Sequence, residues 1–210
     1  MRLLPLVPTA HPSAWHAGGG SGARREADLL LQTPCRFCGL IAAGWQEPFH
    51  LNGDHTDDSA ANVVAGCALC HLVQHLDRPA IEDEAVLIWL PEMSQAALNA
   101  VVRRTQLVFH VHGEPPSMDR RPSIGTPALR TAFRTYQELS RRSEAALARL
   151  GSASPRDLGA ALLSLPKAAQ ERRRELLGGL RLLGRGRLFR GGRDVYPQLL
   201  DALRAPPPAA

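Results

Sequence analysis

Four cysteines in two pairs, Cys35-x2-Cys38 and Cys67-x2-Cys70, with 28 residues between the pairs, constrain this chain more than any other feature. A CxxC knuckle brings two thiolates close enough to share one ion, and two knuckles supply the four soft ligands of a tetrahedral zinc site. Four thiolates leave no open coordination position, so such a Zn²⁺ is structural and ties two distant segments together. In small modules this binding is worth roughly 10–16 kcal/mol, enough to fold the surrounding residues. A disulfide pair and a thioredoxin-like redox motif compete for the same cysteines. Both CxxC pairs occurring together, with no sign of secretion, favour the metal. The expectation is one zinc module over residues 35–76.

Composition sets the frame around it. Hydrophobic residues make up 44% of the 210 and charged residues 21%, which is ordinary for a folded domain and excludes wholesale disorder. The longest apolar run, Ala85 to Leu90, is six residues. A membrane helix needs about 20, so no membrane span is expected. The start, MRLLPLVPTA, is broken by Pro5 and Pro8 and lacks the continuous apolar stretch of a secretory signal. The expected location is the cytoplasm. Charge is uneven. Residues 1–119 carry 7 Arg against 13 acids, whereas residues 120–210 carry 17 Arg and 1 Lys against 7 acids. The acidic front argues against a nucleic-acid cleft there. The basic back, with its Arg172–Arg174 run, suits either an anionic partner or a solvated face.

Local signals give an outline of the elements. Ala23 to Gln32 reads as a short helix after a loop containing HPSAW and GGGSG. Val86 to Leu90 reads as a strand, and Ser94 caps a helix to about His110. Residues 113–127, with four prolines, form a linker or surface loop. Helices follow at Ala128 to Leu150, stopped by Gly151, from Ser154-Pro155 to about Leu165, at Lys167 to Leu177 and at Val195 to Leu203. The tail APPPAA is expected to fray. The fold class expected is α+β, a zinc module followed by a mainly helical C-terminal part. The corresponding boundaries are residues 1–112, a Pro-rich loop at 113–127, and an Arg-rich helical part at 128–210.

The residues between and after the knuckles carry a second pattern. Asp54-His55 ends one apolar stretch, Asn62 opens another, and His71 and His75 follow the second knuckle with i,i+4 spacing. This resembles the HNH (ββα-metal) nuclease motif of the kind that carries a four-cysteine zinc. The resemblance implies that Asp54, His71 and His75 hold a catalytic divalent metal, that His55 is the general base, and that Asn62 holds the loop orienting His55. The TDDSAA loop between His55 and Asn62 is short, and Asp57 and Asp58 there repel phosphate. An inert scaffold is therefore the favoured reading, and a metal-dependent endonuclease is the alternative.

A narrower resemblance covers more of the chain. CRFCGLIAAGWQEPFHLNGDHTDDSAANVVAGCALCH, then LIWLPEMSQAALNAVVR, together with the PSAW start and the late LRLLGRGRLF, resembles the IcmJ/DotN family. That resemblance implies an HNH-like zinc fold without nuclease function, in the coupling complex of a type IVB (Dot/Icm-type) secretion system. It implies a non-enzymatic adaptor that binds the C-terminal tail of the coupling ATPase, contacts other coupling-complex subunits and aids substrate recruitment. The implied location is the inner face of the inner membrane, reached through those partners. His55, His71 and His75 are retained here at positions where the family admits non-catalytic residues. The endonuclease alternative is therefore kept beside the adaptor. Trp89, in the LIWLPE block, is read as a core or partner-facing aromatic.

Overall fold

The computed structural model describes residues 3–10, 33–42, 44–118 and 125–204. The helix expected at Ala23 to Gln32, the HPSAW and GGGSG loop and the APPPAA tail lie outside them. The fold is mixed, with small two-stranded sheets among helices.

The front begins with a knuckle turn at Cys35–Cys38, followed by β1 (Gln46–His50) and β2 (Val63–Cys67). These strands pair antiparallel, from Gln46 opposite Cys67 to His50 opposite Val63. β2 runs directly into the short helix α1 (Ala68–Leu72), so Cys67 ends the strand and Cys70 lies within the helix. α2 (Ile81–Glu84) leads into β3 (Ala85–Trp89).

Capping chemistry explains the long helices. The Ser94 hydroxyl accepts from Ala97 N at 3.2 Å and starts α3 (Gln95–Val111). Thr126 accepts from Leu129 N at 3.1 Å, with Pro127 in the first turn, and starts α4 (Pro127–Leu150). Gly151 ends α4 in the left-handed region, φ 75°, and donates to Leu147 O at 2.8 Å. Ser154 and Pro155 repeat the start signal for α5 (Pro155–Leu163).

Beyond Pro166 the chain departs from the expected single helix. It forms α6 (Lys167–Glu171) and α7 (Arg173–Leu176), separated at Arg172. Leu176 is exposed, so little packing holds an uninterrupted helix across the break. The larger difference is β4 (Leu180–Gly184), which pairs antiparallel with β3 from Ala85 opposite Gly184 to Trp89 opposite Leu180. A strand from the back of the chain thus completes a sheet begun in the front. A hairpin, β5 (Phe189–Arg190) and β6 (Arg193–Asp194), and helix α8 (Tyr196–Ala202) close the chain.

Among the described residues, three apolar clusters form the core, and each joins residues from both sides of the Pro-rich loop. Leu72, Leu76, Ile81 and Leu87 pack with Ala146, Leu162, Leu180 and Leu182. Ile88, Leu98, Val102 and Phe109 pack with Leu129, Tyr136 and Leu183. Phe37, Phe49 and the buried cysteines pack with Leu188, Tyr196, Leu199 and Leu200. The connection from β4 to β5 also touches the Pro-rich loop closely. At Gly186, φ 73°, a Cβ would lie 2.3 Å from Pro116 O, so only glycine fits.

Buried amides stitch these layers together. Gln95 donates to Leu182 O at 2.8 Å and accepts from Leu182 N at 2.7 Å, satisfying the free edge of β4 as a neighbouring strand would. It also donates to Asn99 Oδ1 at 2.8 Å. Asn99 in turn donates to Leu69 O at 3.3 Å, so one amide chain links the β3–β4 pair to the cysteine module.

Candidate metal centres

The first candidate centre is the cysteine cluster. The Cys35–Cys38 turn is fastened to β2 by Arg36 N donating to Ala65 O at 2.8 Å. Within the knuckle, Gly39 N donates to Cys35 O and Cys35 N to Leu40 O, both at 2.8 Å. The buried Gln46 amide closes the loop by donating to Leu40 O at 2.7 Å and accepting from Ala42 N at 3.2 Å. The result places one sulfur from each cysteine within 4.8 Å of all the others.

The spacing separates the candidate chemistries. Cys38 Sγ and Cys67 Sγ are 3.7 Å apart. A disulfide needs about 2.0 Å. A tetrahedral zinc with bonds of about 2.3 Å places its sulfurs about 3.8 Å apart. All four cysteines are free thiols, three of them buried. Electrostatics leads the same way. Hydrogen bonds from Cys38, Cys67 and Cys70 pull Cys35 far below the usual thiol range. Interactions with Cys35 and Cys38 push Cys67 and Cys70 well above it. Four sulfurs this close cannot all be thiolates without a cation among them. Asn99 adds an N–H to Cys70 Sγ at 3.4 Å, the kind of outer hydrogen bond that steadies a metal-bound thiolate. The residues fit zinc.

The second centre is a histidine cluster formed by the β1–β2 loop and the residues from α1 onward. α1 is shorter than the i,i+4 reading supposes. It ends at Leu72, and tightened turns follow, with Gln74 N donating to His71 O and His75 N to Leu72 O. These turns bring His75 Nε2 to 2.8 Å from His71 Nε2. His55, on the β1–β2 loop, places its ring 5.0 Å from that of His75 and 5.8 Å from that of His71. One nitrogen from each of the three lies within 4.8 Å of the other two. Burial, with added repulsion from His71, His55 and Arg78, holds His75 down at about 2, so it is neutral.

Other residues of the sequence pattern take supporting positions. Asn62 accepts from Asn52 N at 3.0 Å and donates to Asp57 O at 2.8 Å, which pins the loop carrying His55. Asp54 Oδ1 accepts from both Thr56 N, at 2.9 Å, and Thr56 Oγ1, at 2.7 Å, which ties one of its oxygens to the loop. Asp57 and Asp58 brace the same loop, through Asn52 Nδ2 at 3.0 Å and His50 Nε2 at 2.9 Å.

Two contributors escape a reading of the sequence. Glu47 on β1 accepts from His71 Nδ1 at 2.6 Å, and Arg190 on β5 pairs with the other Glu47 oxygen. Burial opposes the Glu47 charge, but His71 and Arg190 together outweigh it and hold the carboxyl below its ordinary value. Glu47 is 24 residues from His71 and 143 from Arg190, so no local spacing reports the contact. Arg190 also lies over Trp45, 4.6 Å from the ring.

The remaining candidates are dispersed. Trp89 is half-buried beneath Arg149, 4.4 Å from its ring. In the arginine run, Arg172 pairs with Glu175 of its own turn at 3.0 Å. Arg173 and Arg174 instead border a cavity of about 190 Å³ whose wall includes Leu4, Leu6, Phe49 and Leu51. Among the described residues, no helix is long and apolar enough to cross a membrane.

No family model matches the chain. Over 69 residues, 32% of its length, it is 33% identical to the Type 4 apparatus protein DotN of Legionella pneumophila. The match spans about a third of that relative, 32% of its length.

Proposed function

We propose that the chain is a non-enzymatic adaptor subunit of a Dot/Icm-type type IV secretion apparatus. It binds the C-terminal tail of the coupling ATPase and aids substrate recruitment from the cytoplasmic face of the inner membrane. The observation that carries this reading is the 69-residue similarity to a type 4 apparatus protein. The charge division supports it, because a strongly basic back half suits an acidic tail. Arg173 and Arg174 beside an apolar cavity offer such a tail both a charge pair and an anchor. The order β1, β2, α1 around the cysteines, with His55 on the intervening loop and His71 on the helix, supports an HNH-like zinc module as the scaffold.

A pull-down with the coupling-ATPase tail from the same genome tests this. Capture is expected at low salt and should weaken only partly as salt rises, because apolar anchoring carries most of the affinity. Reversing charge at Arg172, Arg173 and Arg174 should slow association by about tenfold and change dissociation little. Failure to bind any such tail overturns the adaptor role. Unchanged association kinetics in the variant would assign the arginine run to a solvated face.

One observation favours the endonuclease alternative. His55, His71 and His75 converge, with Asn62 holding the loop. Duplex DNA is nevertheless expected to stay intact with Mg²⁺, Mn²⁺ or Ni²⁺, because Asp57 and Asp58 put negative charge on the loop that carries His55 and repel phosphate. DNA cleavage that disappears in His55→Ala would establish the enzyme, since loss at the candidate base ties activity to this site.

A further inference from the structure

We propose that His55, His71 and His75 form a second metal site, distinct from the four cysteines, which binds Zn²⁺ through three imidazole nitrogens and leaves one position open. The donor set differs from the one that the HNH resemblance implies. There, Asp54 is a ligand and His55 is a base. Here Asp54 Oδ1 is engaged by Thr56, and the three side chains whose nitrogens come together are His55, His71 and His75.

Three features of the cluster point to a cation. The first is spacing. A zinc–nitrogen bond of about 2.0–2.1 Å in tetrahedral geometry places ligand nitrogens about 3.3 Å apart. The observed separations begin at 2.8 Å, for His71 Nε2 and His75 Nε2, and stay within 4.8 Å, so they bracket that value. The second is proton placement. Glu47 at Nδ1 can only accept, so the hydrogen of His71 on that side points to Glu47, and Nε2 is the nitrogen whose lone pair can meet an ion. That lone pair faces His75 and shares the space with His55. The third is the outer arrangement. A carboxylate on the far nitrogen of a ligating histidine fixes its tautomer and makes it a better donor. Glu47 holds that position, and Arg190 fixes Glu47 from the other side.

The donors also select the ion. Three imidazoles without a thiolate suit zinc, and they disfavour Mg²⁺ and Ca²⁺, which prefer oxygen ligands. All three histidines are partly exposed, so an ion can enter from solvent and water can take the fourth position. A ligating His55 has no lone pair left to activate water at that nitrogen. The same residue cannot serve as ligand and base together.

The test uses the full purified chain, loaded with excess ZnCl₂ and desalted, with zinc per chain measured by mass spectrometry. Two zinc ions per chain are expected in the wild type, one in His55→Ala and two in Asp54→Asn. One zinc in the loaded wild type overturns the proposal, as does a His55→Ala protein that keeps two. Loss of the second ion in Asp54→Asn alone would return the site to the aspartate set. Glu47→Gln should weaken the second site about 10- to 100-fold in competition with a chelating dye, leaving the cysteine zinc unaffected. If His55→Ala does not fold, X-ray absorption of wild type loaded at the second site with Co²⁺ decides: three imidazole rings support the site and fewer overturn it.

Discussion

Replacing Cys67 by serine is expected to release the zinc and unfold the front of the molecule. Cys67 joins β2 to α1, so its sulfur lies at the point where strand and helix must meet. It is buried, and around it pack Phe37, Phe49 and Leu69 from the front and Tyr196, Leu199 and Leu200 from the back. A serine hydroxyl is a poor zinc ligand, and three thiolates keep only part of the roughly 10–16 kcal/mol that a structural site contributes. The total stability of a domain is about 5–15 kcal/mol, so losing half of the metal's contribution, about 5–8 kcal/mol, removes a large part or all of it. The damage should extend past the knuckles, because Asn99 on α3 hangs from Leu69 O and Cys70 Sγ. Metal analysis and thermal melting check this together. Metal loss without a drop in melting midpoint would make the zinc incidental to folding. Retention of both would show that the four thiolates do not share one ion.

What the sequence made legible follows the range over which each physical cause acts. Helix caps are short-range, and Ser94 and Ser154-Pro155 each start a helix where local chemistry places them, whereas Thr126 caps a helix whose first residue, Pro127, composition assigns to the Pro-rich loop. The paired cysteines are legible because ligand spacing within a knuckle is fixed by the metal, not by the rest of the fold. The strand at β3 is legible as a short apolar run ending at Pro91. Its partner β4 is not. Leu180–Gly184 is also a short apolar run, but it sits among arginines and glycines, and periodicity cannot separate a buried strand from a helix turn at that length. The pairing that makes it a strand lies about ninety residues away, in the 85–89 segment. Glu47 and Arg190 were hidden for the same reason. Each looks like an ordinary surface charge until β1 and β5 bring both beside His71.

The hairpin β5–β6 links the histidine cluster to the rest of the chain through charge. Glu84, fully buried, accepts from Phe189 N at 2.6 Å and pairs with Arg78 at 2.9 Å. Burial raises its carboxyl, and the Phe189 N–H and Arg78 offset that cost only in part. Arg78 also donates to Phe189 O at 2.7 Å, so one ion pair clamps both backbone groups of the first hairpin residue. The next residue is Arg190, whose guanidinium reaches Glu47 and through it His71. The back of the chain thus contributes to the histidine cluster as well as to the cover of the cysteines.

A chain ending at Met118, within the Pro-rich loop, is therefore expected not to fold, although composition alone draws a boundary there. The cut removes α4 and β4, which cover β3 and α3. Ile88, Leu98, Val102 and Phe109, each at most 3% exposed, would lose Leu129, Ala132, Tyr136 and Leu183. Burying a large apolar side chain is worth about 1.5–3 kcal/mol, so exposing four costs about 6–12 kcal/mol, comparable to the whole stability of a domain. β3 would also become a bare edge with five unpaired residues. The cysteine cluster would lose Leu188, Tyr196, Leu199 and Leu200 from its apolar cover. Zinc binding can hold the knuckles themselves together, but it supplies no cover for the apolar faces of β3 and α3. Circular dichroism and limited proteolysis of residues 1–118 beside the full chain measure the outcome. Rapid proteolysis with no cooperative melt would show that folding crosses the Pro-rich loop. A zinc-loaded fragment melting cooperatively near the full chain's midpoint would instead establish two independent units, and the contacts across the loop would then be docking between them.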